Sequence, residues 1–267
     1  MHFRLDSCVS ILLGTKPRFD IDTIEKPVHP LNCGPFGTLA LRYKSKLSHL
    51  TGLPELSTET IEVYWELQHL SKVKDEVCYQ RTETTDIDSY SDTLEYLERQ
   101  IVALMQSEHL ALPKQETSIL HLFSNAAILH IYIFMRDLPR GLPFRYLIAD
   151  RIRLELEELD IQALLTPYPE MLLWILIMGG IGAIGAPTKT WFANIFADSC
   201  RTLGLRGGDE IALTLKEFFW SEQYRSPVTA PFWNDVAKAQ GVGGYEVRRL
   251  TDHVAAQTFN APSDLSG

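Results

Sequence analysis

Gly180, Gly182 and Gly185 stand at G-x-G-x-x-G spacing inside an apolar run that extends from Met171 to Ala186. After a strand and at the opening of a helix, that spacing lets backbone approach a pyrophosphate, and an acidic residue about 20 positions on holds the ribose. Asp198 stands near that distance. The surroundings point elsewhere. Tyr168-Pro-Glu introduces a run rich in Leu, Trp and Met rather than a Val/Ile strand, and no βαβ alternation surrounds it. Glycines that let two helices approach closely, or that end a helix in a left-handed residue, account for the same letters. Helix packing is the expectation, and an NAD- or FAD-dependent oxidoreductase is the alternative.

Other chemistry-bearing residue types are present without the spacing that chemistry needs. The histidines His2, His29, His49, His69, His109, His121, His130 and His253 contain no H-E-x-x-H or other metal-ligand spacing. His121 and His130 are about two and a half helical turns apart, on nearly opposite sides of one predicted helix, and are expected to be hydrogen-bonded core or rim residues. Cys8, Cys33, Cys78 and Cys200 include no Cys-x-x-Cys pair. No G-x-S-x-G elbow is found. Glu155, Glu157, Glu158 and Asp160 form an acidic cluster that reads as the solvated face of an amphipathic helix. No catalytic, cofactor-binding or metal-ligating residue is expected.

The chain's 267 residues are 45% hydrophobic and 22% charged, the composition of a folded protein with a substantial core. Its 34 acidic residues outnumber 25 Lys and Arg, and a net charge of −9 repels phosphate on average. Direct nucleic-acid binding is therefore not expected. The clearest basic clusters are Arg42, Lys44 and Lys46, and Arg248 and Arg249 beside His253. Thr117 to Met135 and Met171 to Ala186 approach membrane length. The first carries His121, Asn125 and His130, and the second falls short of the roughly 20 residues a span needs. Cysteine usage without a plain export signal suggests a reducing compartment, nuclear or cytoplasmic.

An all-α fold of about eight helices follows from the periodicity. Residues 1–56 are broken up by proline and glycine and read as an irregular segment. From Ser57 the helices succeed one another to about residue 240, and 241–267 reads as a flexible tail. Val63, Leu67, Leu70, Val73 and Val77 form the first apolar stripe, and Tyr90, Leu94, Leu97, Ile101 and Leu104 the second. Glu116 to Arg136 makes a third, more apolar helix. Ile148, Ile152, Leu156, Leu159 and Ala163 give the inner face of a fourth. Further helices are predicted at about 169–183, 188–203 and 208–222, with an eighth after Thr229, the predicted cap, and Pro231 in its first turn. Tyr64, Trp65, Trp174, Trp191, Phe192, Phe218, Phe219 and Trp220 sit at core-like helical spacing.

From Leu53 to about Val236 the chain resembles the fungal-specific transcription factor domain, the C-terminal regulatory region of fungal binuclear zinc-cluster transcription factors. The resemblance is carried by Trp65 with Leu70-Ser-Lys; by Leu129-His-Ile-Tyr-Ile-Phe-Met-Arg136 and its Gly-Leu-Pro143 exit; by Tyr168-Pro-Glu-Met-Leu-Leu-Trp-Ile-Leu176 with Gly179-Gly180; by Trp191-Phe192; and by Phe218-Phe-Trp220 and Phe232-Trp233. It implies a helical domain that regulates through protein partners, such as other regulators or the transcription machinery, or through a small effector. The family's six-cysteine DNA-reading cluster is not found in this sequence, so direct DNA binding is not implied. Trp174, Gly179, Gly180, Trp191 and Trp220 are then structural signature positions, and the implied location is the nucleus.

Overall fold

A computed structural model describes residues 54–80, 87–111, 119–136, 142–216 and 218–242. The two basic clusters, Cys8, Cys33, and all but residues 54–56 of the predicted irregular segment and 241–242 of the predicted tail lie outside the described residues. The helices are α1 (Pro54–Gln80), α2 (Ile87–Ala111), α3 (Ile119–His130), α4 (Phe144–Glu157), α5 (Ile161–Leu165), α6 (Pro169–Gly182), α7 (Thr188–Thr202), α8 (Gly208–Lys216) and α9 (Ala230–Gln240). A π-helical turn, Ile131–Met135, continues α3, and a 3₁₀ turn, Glu222–Arg225, precedes α9. Among the described residues there is no strand, and the fold is an all-α bundle.

Two helices, α3 and α6, form its centre. Every residue of α3 is buried, as is every residue of α6 from Met171 to Gly182. The Met171–Gly182 part of α6 is apolar all round, and such a helix is accommodated within a bundle or a membrane. No described helix is long and apolar enough to cross a membrane. Pro169 and Glu170 open α6, the proline where no amide partner is lost and the acid where it suits the helix dipole. Around this centre the helices pack in sequence: α1 on α2, α2 on α3, α3 on α6, α6 on α7 and α7 on α9, with α4 bridging α3 and α6.

The apolar stripes face inward over most of their length, with Val73, Tyr90 and Leu159 only half-buried. Val63, Leu67 and Leu70 are buried, as are Leu94, Leu97, Ile101 and Leu104, and Ile148, Ile152 and Leu156. Where boundaries differ, backbone hydrogen bonding gives the reason. The fourth helix does not run through to Ala163: it ends at Glu157, and Asp160 starts the separate α5 by accepting from the backbone N–H groups of Gln162 and Ala163. Ala163 is consequently exposed. The helix predicted over 208–222 stops at Lys216, and the chain folds back through the 3₁₀ turn. α3 passes into a π-turn rather than continuing as α-helix, with Arg136 N–H bonded to Ile131 O at 2.8 Å. Arg136 is thereby placed against Glu98 of α2, where Arg136 Nη2 lies 2.9 Å from Glu98 Oε2 and the Tyr132 hydroxyl also donates to the carboxylate. Burial pushes Glu98 above the usual carboxylate range, with Arg136 and Tyr132 acting in the opposite direction.

Candidate functional site

The glycine segment is helix through Gly182, not the end of a strand, and its glycines are occupied by the protein's own aromatic rings. A Cβ on Gly179 would lie 2.3 Å from Phe192 of α7, and one on Gly180 would lie 2.1 Å from Phe232 of α9. On Gly182 it would meet Leu129 of α3 at 3.0 Å. Three neighbouring helices thus reach the backbone of α6 through its missing side chains. Gly185 serves a different purpose, with φ at +102° in the turn after α6. There the Tyr146 hydroxyl lies 2.7 Å from where a Cβ would be, and Arg145 donates to Ile184 O at 2.8 Å. Asp198, which a dinucleotide cradle would aim at a ribose, is exposed on α7 and pairs with Arg201 at 2.6 Å.

A second constellation, which spacing could not reveal, lies beside Trp174. His130, at the end of α3, contacts Ser71 Oγ of α1 through Nε2 at 3.0 Å and the Tyr224 hydroxyl through Nδ1 at 2.9 Å. Trp174 Nε1 donates to the same hydroxyl at 2.9 Å. The roles of the two ring nitrogens follow the imidazole tautomer: with Nδ1 unprotonated, the phenol, whose oxygen already accepts from the indole, donates to it. Nε2 then carries the imidazole proton and donates to Ser71. His130 and Tyr224 have no exposed surface and Ser71 only 2%. Desolvation lowers the His130 pKa to about 3 and raises the Tyr224 phenol well above its ordinary value. Ser71, His130, Tyr224 and Trp174 therefore form a neutral relay joining α1, α3, α6 and the 3₁₀ turn.

Around it, hydrogen bonds converge on the segment between α8 and α9. The Tyr64 hydroxyl donates to Phe218 O, and Gln68 Nε2 donates to the same oxygen at 3.1 Å. Asp75 Oδ1 accepts from Ser221 Oγ at 2.8 Å and Gln223 Nε2 at 3.1 Å, while Oδ2 accepts from Glu222 N–H at 3.1 Å. Burial raises the Asp75 pKa, opposed by these donors and assisted by the Glu222 carboxylate. Thr229 sits at the predicted cap position of α9, but its hydroxyl does not cap the helix. It donates instead to Tyr224 O at 2.7 Å, and Trp233 Nε1 donates to that oxygen too.

The remaining sequence candidates are dispersed. His121 Nδ1 lies 2.7 Å from Glu155 Oε1, with both side chains largely buried, so Glu155 is not part of a solvated acidic face. Glu157 does face outward and pairs with Arg153, and Asp160 is the cap of α5. Trp174 is fully buried, whereas Trp65, Trp191 and Trp220 are only partly buried against the core. Among the described residues no group of three or more His, Cys, Asp or Glu side chains is placed to hold a metal ion. No family model, curated protein or solved structure matches the chain.

Proposed function

We propose that this bundle is the regulatory, effector-receiving domain of a fungal transcription regulator, acting in the nucleus through protein or small-effector contacts and not by binding DNA itself. The supporting observation is the convergence of the residues that carry the resemblance. Gly179 and Gly180 are seated under Phe192 and Phe232, while Trp174 bonds to Tyr224 and packs on Phe218 and Phe219 at 5.9 and 4.9 Å. Segments far apart in sequence meet in one core. The net charge of −9 favours protein or small-molecule contacts over phosphate.

The test is to fuse the full chain to a heterologous DNA-binding module in a fungal reporter strain. Reporter output should differ from that of the module alone. In parallel, fluorescence anisotropy with duplex DNA at about 50 and 200 mM salt, a range over which phosphate contacts weaken strongly, should show no retained complex. Unchanged reporter output, sequence-specific DNA binding at the higher salt, or saturable NAD or FAD binding in titration calorimetry would overturn the proposal.

A further inference from the structure

We draw no further inference here: the strongest candidate, the outer face of α4 on which Leu147 and Leu154 stand exposed with Arg151 between them, is an unpartnered apolar face, and nothing in the structure shows what covers it.

Discussion

Replacing Gly180 by alanine should destabilise the bundle, although the same change in the middle of a helix ordinarily helps. Alanine is favoured over glycine in a helix interior by about 1 kcal/mol. Here its Cβ would lie 2.1, 2.5 and 2.8 Å from three atoms of the Phe232 ring. The ring has little room to retreat, because Phe232 has no exposed surface and stands 6.1 Å from Phe196 and 5.3 Å from Trp233, centroid to centroid. Overpacking in such a core costs about 1–3 kcal/mol, and a contact this short belongs at the upper end. After the propensity gain, the net loss should be about 2 kcal/mol. Urea unfolding followed by far-ultraviolet circular dichroism measures it, with Gly207→Ala as a control, since nothing lies within 4 Å of a Cβ there. Phe232→Leu should lose stability by itself but relieve the clash, so the double variant should fall short of additivity by about 1 kcal/mol or more. Gly180→Ala as stable as the wild type, or strict additivity with Phe232→Leu, would refute the seating of Phe232 on α6.

Two further outcomes follow from buried titratable groups. The His130 pKa falls from about 6.5 unfolded to about 3 folded, so the unfolded chain binds a proton that the folded chain refuses. Stability should hold above pH 6.5 and decline as pH falls towards 3, by roughly 3 kcal/mol at pH 4, and His130→Gln should flatten that limb in denaturant titrations across pH. Cys200 is buried with its thiol pushed up to about 12, whereas Cys78 is exposed. Peptide mapping after brief treatment with N-ethylmaleimide at pH 7.5 should find Cys78 modified and Cys200 modified only after denaturation; equal labelling in the folded protein would contradict this placement.

The helical character, most of the inner stripes and the packing of the Met171–Ala186 segment as a helix were legible in residue order alone. A side chain's face on a helix is set by local periodicity, and a segment as apolar as Met171–Gly182 has few places to go. Break points were less legible. Asp160 separates α4 from α5 by capping, and the chain leaves the helix after Lys216 where longer-range bonds to Tyr64 and Gln68 hold Phe218. Neither competing bond is visible in an apolar pattern.

His130 shows the division most plainly. Residue order places this histidine on an apolar helix and predicts a hydrogen-bonded core or rim position. Its partners, Ser71 and Tyr224, 59 and 94 residues away in sequence, are brought to it by the packing of α1 and the 3₁₀ turn. The same holds for Gly180, whose spacing admits a phosphate cradle or a helix contact until Phe232 of α9 is seen to fill the space. Periodicity reports which way a residue faces because the helix is a local structure. It carries no record of which distant element arrives on that face, and the chemistry of the site depends on that arrival.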